Sequence, residues 1–225
     1  MGKIISEYGD LLLEAMGQTL LMSLYGLFFA CIIGVIFGLM SVIKNRVCNA
    51  IATGFVYIIR GVPMIVLAYF VFFGVPFLFN NILEVSNRVN LTAMQAGTIC
   101  LALNCGAYMA EIIRGGIQSV DIGQMEAARS LGLPYWRAMQ RVVLPQAIKT
   151  MIPSIINQFI ITLKDTSILS VIGFPELVNS AKNVVANTFM SFQTWGIVAV
   201  MYLIVITLLS VAAKILERKL SYGRK

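Results

Sequence analysis

The sequence DIGQMEAARSLGLPYWRAMQRVVLP, residues 121–145, is a polar and charged stretch with long apolar runs on both sides of it. Residues 126–128, Glu-Ala-Ala, begin a strong helix-forming segment that is predicted to end near Gly132. Pro134 suits the start of a second short helix, because its missing N–H needs no partner there. That second helix is predicted to end at Pro145. The pattern therefore predicts two short amphipathic helices joined by a glycine bend, held between membrane spans for another protein to bind.

The composition is that of a membrane protein. Hydrophobic residues make up 59% of the 225 residues and charged residues only 12%, which is typical of a polytopic membrane protein and not of a soluble domain. The four cysteines lack CxxC spacing and the chain has no histidine. This pattern favours small buried thiols over a disulfide framework, and no metal site is predicted.

Five apolar runs are long enough to cross a bilayer, at residues 16–43, 47–73, 91–113, 151–172 and 192–213. The amphipathic stretch lies in the predicted loop at residues 114–149. No secretory signal features precede the first run, so this span is expected to be retained. Small residues recur every fourth position in it, which predicts a smooth ridge for close helix packing; they are Gly26, Ala30, Gly34 and Gly38. We expect residues 1–225 to form a single transmembrane domain.

Basic residues are distributed unevenly between the two sets of loops. One set contains Lys44, Arg46, Arg114, Arg129, Arg137, Arg141, Lys149 and the basic C-terminal tail, whereas the other contains only Lys3, Arg88 and Lys182. The positive-inside rule then predicts an external N-terminus, a cytoplasmic 114–149 loop and a cytoplasmic C-terminus. The net charge of +7 is thus explained by topology, and no nucleic-acid partner is predicted.

Polar residues inside the predicted spans are the candidates for function. The second span contains Arg60 in the sequence Arg-Gly-Val-Pro. The alternative to a functional role for this residue is a kinked helix whose Arg reaches the membrane interface. Asn104, Tyr108 and Glu111 are spaced four and three apart, so they share one helix face.

The fourth span contains Lys164 and Asp165, which must face protein or water because both would be costly in lipid. Neighbouring helix positions pair poorly, so partners on other helices are expected, with Glu111 and Arg60 as candidates. Asn157 lies seven residues before Lys164 and is predicted to share its face. The alternative to a functional role for Lys164 and Asp165 is a structural polar clamp that fixes the register of the helices.

The 121–145 stretch resembles the EAA loop of ABC importer permeases. The matching residues are Glu126, Ala127, Ala128, Gly132, Leu144 and Pro145, with Val142 where that family usually has Ile. In that family this loop forms coupling helices that sit in a groove of a cytoplasmic ATPase, so the resemblance implies that role here.

Further motifs resemble the polar amino acid uptake permeases, the general amino acid, glutamine, histidine and arginine branch of those importers. They are Arg60-Gly61-Val62-Pro63, Ala107 to Glu111 with Arg114 to Ile117, and Lys164 to Ser167. The resemblance implies an all-α, type I importer permease with five spans and a cytoplasmic coupling loop, in a bacterial cytoplasmic membrane. It implies a substrate site for a polar amino acid at Asn104, Glu111, Lys164 and Asp165. Arg60 and Tyr108 are further candidates for substrate contact.

The same resemblance implies three protein partners. They are a second permease subunit, identical or not, a cytoplasmic ABC ATPase dimer, and an external or periplasmic solute-binding protein. ATP and magnesium would bind the ATPase, and this chain would have no cofactor of its own. This agrees with the sequence, which has no GxxxxGK[ST] motif to bind phosphates.

Two other classes of protein stay open from the residues alone. A secondary transporter or channel would use Glu111 and Asp165 as a proton or ion relay, but it would not need the EAA stretch. A membrane enzyme is the weaker alternative, since no nucleophile–base pair or catalytic residue is evident.

Overall fold

A computed structural model describes residues 2–83 and 88–221, with side chains described up to residue 215. Every element in this part of the chain is helical, and five helices are apolar and long enough to cross a membrane. We label the helices in chain order as α1 Gly2–Val42, α2 Arg46–Gly61, α3 Met64–Ile82, α4 Ala93–Gln118, α5 Ile122–Ser130, α6 Tyr135–Ile172, α7 Leu177–Thr188 and α8 Ser191–Ser221. The prediction of an all-α membrane protein with five apolar helices is confirmed.

The centre of the fold is the packing of α1 against α4. The predicted small-residue ridge lies in this contact: Gly26, Gly34 and Gly38 contact Leu101, Met109 and Ile113 respectively. The contacts run in the same order along both helices, so α1 and α4 are parallel. A Cβ atom built on Gly26 would lie 2.7 Å from the Cβ atom of Leu101. Only glycine allows the two backbones to approach this closely.

The predicted second span at residues 47–73 is divided in the structure. Helix α2 ends at Gly61, Val62 is extended at φ −99° and ψ 131°, and α3 begins at Met64. Pro63 causes the division, because its ring disfavours the helical conformation of the preceding residue and it lacks an N–H donor. The apolar helix that follows continues to Ile82, beyond the predicted end of the span.

The glycine bend in the 121–145 stretch is present. Gly132 has φ +85°, and two hydrogen bonds close the end of α5, from Gly132 N–H to the Arg129 carbonyl at 3.0 Å and from Leu133 N–H to the Ala128 carbonyl at 3.2 Å. This pair of bonds is a Schellman motif, which requires a left-handed residue at the glycine position. The side chain of Asp121 caps the other end of α5 by accepting from Gly123 N–H at 2.7 Å.

The prediction that the second short helix ends at Pro145 is wrong. Helix α6 begins after Pro134 and continues through Pro145 to Ile172. The turn at Met139–Val143 is a π-helix, immediately before Leu144 and Pro145. In a π-turn the hydrogen bonds span five residues, and this wider turn accommodates a proline that would otherwise clash with the carbonyl four residues earlier.

The remaining helices extend past the predicted spans. Helix α1 begins at Gly2, α4 ends at Gln118, and α7 occupies much of the predicted loop at residues 173–192. Where the membrane begins along each helix, and the organisation as a single domain, stay predictions. Two parts of the sequence lie outside the described residues: Glu84, between the second and third predicted spans, and the end of the basic tail, Arg224 and Lys225.

Candidate functional site

The polar face of α4 lines an open cavity of about 520 Å³ between α2, α4 and α6. Asn104 and Tyr108 contribute from α4, and Arg60 contributes from the end of α2. Asn104 is buried, and its Nδ2 lies 3.8 Å from the Met64 sulfur at the start of α3. The break between α2 and α3 thus forms one wall, as residues 61–64 also line the cavity.

Helix α6 supplies the opposite wall through Gln158 and Asp165. These two residues are seven apart and face the cavity, whereas Asn157 and Lys164, one position earlier, are exposed on another face of the same helix. Asn157 and Lys164 lie about two turns apart in one continuous α-helix, so they share a face as predicted. Lys164 does not line this cavity. Gln158 does, but the sequence analysis did not identify it. Its position seven residues before Asp165, and so on the same helix face, could have indicated it.

Arg60 and Glu111 are close to each other, and neither pairs with Lys164 or Asp165. Arg60 Nη1 lies 3.6 Å from Glu111 Oε2, and the Arg60 guanidinium lies 4.8 Å from the centre of the Tyr108 ring. Arg114 donates from Nε to Glu111 Oε1 at 3.0 Å and from Nη2 to Oε2 at 2.8 Å. Two guanidinium groups therefore share one carboxylate, which leaves a net positive charge beside the cavity.

Two further cavities continue along the same face of α4. A cavity of about 440 Å³ is lined by Arg60, Tyr108 and Glu111, and one of about 250 Å³ is lined by Glu111, Gly115 and Ser119. Each cavity shares at least one lining residue with the next. The result is a row of neighbouring cavities from Asn104 to Ser119, with the Arg60–Glu111–Arg114 cluster at its midpoint.

The residues of the EAA stretch lie on exposed helix α5 and at the start of α6. Glu126 and Ala127 are exposed and Ala128 is buried, so α5 packs against the rest of the protein on one side only. Leu131, the residue after α5, is 85% exposed. Leu144 and Pro145 belong to α6, not to a separate short helix.

Glu176 is a buried titratable residue that sequence reasoning missed. It caps α7, with Oε2 accepting from Val178 N–H at 2.8 Å and Oε1 accepting from Asn179 N–H at 2.6 Å, and the Tyr202 hydroxyl lies 3.4 Å from Oε2. Burial raises the pKa of the Glu176 carboxyl to about 7, despite the lowering effect of these donors and of Lys182. A Glu before an apolar helical run was the available signal, but Ser, Thr, Asp and Asn are the commoner caps.

Comparison with known proteins assigns the family. Residues 16–222 match the family described as "Binding-protein-dependent transport system inner membrane component". The chain belongs to this family. It is 36% identical over 210 residues to the glutamine transport system permease protein GlnP of Escherichia coli (strain K12), covering 93% of each chain. It is 35% identical over 217 residues to the probable glutamine ABC transporter permease protein GlnM of Bacillus subtilis (strain 168), covering 96% of each.

Solved structures show the same fold. The crystal structure of an amino acid ABC transporter with histidines is 34% identical, with a TM-score of 0.86 and 96% of both chains covered. The inward-facing methionine transporter MetNI is 20% identical, with a TM-score of 0.78 and coverage of 95% of this chain and 97% of that one, a likeness of fold alone. The predicted type I ABC importer permease fold is confirmed.

Family membership also decides between the functional alternatives. This binding-protein-dependent permease is a multi-pass membrane protein of a bacterial ABC transporter. A permease subunit is not itself catalytic, and membership implies an ATPase and a binding protein as partners. The comparisons support the importer permease and not the ion- or proton-coupled transporter or channel.

Proposed function

We propose that this chain, paired with a second permease subunit, forms the transmembrane path of an importer for polar amino acids. The observation that carries the proposal is the row of cavities along α4, which begins at Asn104 and ends at Ser119. The names of the relatives, two glutamine permeases and an amino acid transporter, support the substrate class. The substrate would move along this row as the two subunits alternate between outward and inward access.

The first cavity has the chemistry that an amino acid requires. An amino acid carries an ammonium and a carboxylate, so its site needs groups of both signs. Asp165 would receive the ammonium and Arg60 the carboxylate, while the buried amides of Asn104 and Gln158 would bind a polar side chain. Burial strengthens each of these contacts because the local dielectric is low. Arg60, and not Lys164, is the basic residue assigned to the carboxylate, because Arg60 lines this cavity and Lys164 does not.

Lys164 would instead face the second permease subunit. Lys164 and Asn157 are exposed in this chain on a helix that crosses the membrane. A lysine in the middle of a membrane costs about 2.5–3.5 kcal/mol on insertion scales, so a protein surface covering it is favoured over lipid. The second permease subunit, identical or different, would supply that surface and pair with the Lys164 ammonium.

The remaining partners follow from the orientation that the positive-inside rule predicts. An ATPase dimer would bind α5 on the cytoplasmic side and hydrolyse ATP with magnesium, so this chain would need no cofactor. A solute-binding protein would deliver the amino acid to the opposite side of the bacterial cytoplasmic membrane. The N-terminus would then be external and the C-terminus cytoplasmic.

The test is ATP-dependent uptake of a labelled amino acid by the complete transporter in vesicles. We expect Glu111→Gln and Asp165→Asn to abolish the stimulation of ATP hydrolysis by loaded binding protein while basal hydrolysis and assembly persist. Asp10→Asn, an exposed acidic residue of α1, is the matched control. If both site variants assemble poorly, these residues are a structural clamp. If both transport normally, selectivity lies entirely in the binding protein and the proposed site is wrong.

A further inference from the structure

A separate apolar cavity of about 620 Å³ lies at one end of the helix bundle. Its walls are the last turn of α1, the last turn of α4 and the first turns of α6, through residues that include Val42, Ile117, Met139 and Leu144. Three apolar helices begin or end around it, and we therefore expect the cavity to lie near the membrane surface. Its size is within the range of ordinary small-molecule sites.

Two basic side chains line this cavity, together with two aromatic ones. Lys44 is the first charged residue after the apolar run of α1, and Arg129 lies in the last turn of α5. Both are exposed, and among the residues that the structure describes no acidic side chain lines the cavity. Tyr135 and Trp136 complete the rim, and such amphipathic aromatics are enriched at the level of lipid head groups.

We propose that this cavity binds one anionic phospholipid, with its phosphate between Lys44 and Arg129 and an acyl chain against Val42, Ile117 and Met139. The apolar wall favours an acyl chain, because moving apolar surface from water into contact with hydrocarbon is stabilising. The two basic groups select against a zwitterionic lipid, whose phosphate is already paired with its own cation. Basic pockets between spanning helices at the membrane surface bind anionic head groups by this chemistry.

The experiment is native mass spectrometry of the assembled transporter with added phosphatidylglycerol or phosphatidylcholine. Wild type should retain phosphatidylglycerol in preference, and Lys44→Gln with Arg129→Gln should reduce that retention by roughly fivefold per charge removed. Arg137→Gln with Lys149→Gln is the matched control, since these basic residues lie in the same region but not in the cavity lining. Equal retention of the two lipids by wild type, or unchanged retention in the cavity variant, would overturn the proposal.

A second measurement needs no variant and covers the case in which the cavity variant does not assemble. Wild-type transporter is crosslinked to a phosphatidylglycerol with a photoreactive acyl chain, and the labelled peptide is identified. We expect residues 135–144 to be labelled. Unlabelled phosphatidylglycerol should reduce this labelling by competition, whereas phosphatidylcholine should not. If the cavity variant loses the ATPase while it retains lipid normally, the two basic residues belong to the ATPase interface and the lipid site is refuted.

Discussion

Gly34 of α1 lies directly against Met109 of α4, so close that a Cβ atom on Gly34 would be 2.5 Å from the Cβ atom of Met109. Real Cβ atoms do not approach each other to this distance, so any side chain at position 34 forces the helices apart. The atom in the way belongs to a fixed part of Met109, not to its flexible end. The α1–α4 contact therefore depends on the absence of one methyl group.

We accordingly expect Gly34→Ala to destabilise the protein by about 1–3 kcal/mol, the usual cost of overpacking a close contact. The measurement is the apparent melting temperature of the purified complex at a fixed heating rate. Gly17→Ala is the matched control in the same helix, because a Cβ there meets nothing within 4 Å. Equal melting temperatures for the two variants would contradict this account of the packing.

The end of α5 yields a prediction about coupling to the ATPase. Gly132 has φ +85° and donates its N–H to Arg129, so Gly132→Pro loses both the left-handed conformation and the donor. We expect Gly132→Pro and Glu126→Arg to insert normally but to lose ATP-driven uptake, because α5 no longer fits its partner. Loss of a few kcal/mol of interface contact weakens a complex by orders of magnitude.

Uptake and the amount of ATPase that co-purifies are the two measurements for these variants. Gly54→Ala is the control, since that glycine is helical and a Cβ there also meets nothing within 4 Å. Normal uptake together with normal complex formation in both coupling variants would refute the assignment of α5 as the coupling helix.

We expect Glu176 to make the stability of the protein depend on pH. Its pKa is raised by burial from an ordinary value of 4.5 to about 7, so the folded protein holds a proton that the unfolded chain releases between these values. The stabilisation is fully present below about pH 4.5 and is lost as the pH rises through about 7. We expect the apparent melting temperature to fall between pH 5.5 and pH 8.

Glu176→Gln, which keeps the neutral form, should flatten this dependence, whereas Glu7→Gln at an exposed position of α1 should leave it unchanged. The comparison is the slope of melting temperature against pH at one heating rate. Parallel slopes for wild type and Glu176→Gln would show that Glu176 does not titrate in this range.

The orientation of the chain is tested at both ends of the predicted topology. A reporter fused after Tyr222, which lies outside the described residues, is expected in the cytoplasm. In a chain without native cysteines, Asn81→Cys near the end of α3 should react with an impermeant maleimide added to intact cells. Asn81 suits this label because it is exposed, whereas Asn80 binds the backbone of Val89 through both atoms of its amide. The opposite labelling pattern would overturn the predicted topology.

The sequence by itself determined the class of fold, the number of apolar helices, the glycine ridge of α1 and the bend at Gly132. Each of these depends on local chemistry: hydropathy over a span's length, a repeat of four residues, and a backbone conformation that favours glycine. The motifs that resemble known permeases added the family, which the comparisons confirmed. None of these features requires knowledge of which helices meet.

The tertiary structure decided what the polar residues contact. It placed Asp165 in the cavity and left Lys164 exposed, although the two are adjacent in sequence. It paired Arg60 with Glu111 across two helices and buried Glu176 beneath Tyr202. It also carried α6 through Pro145 by means of a π-turn. The physical reason is that rotating a helix by one residue changes which side chains face inward, and only packing against neighbouring helices fixes that rotation.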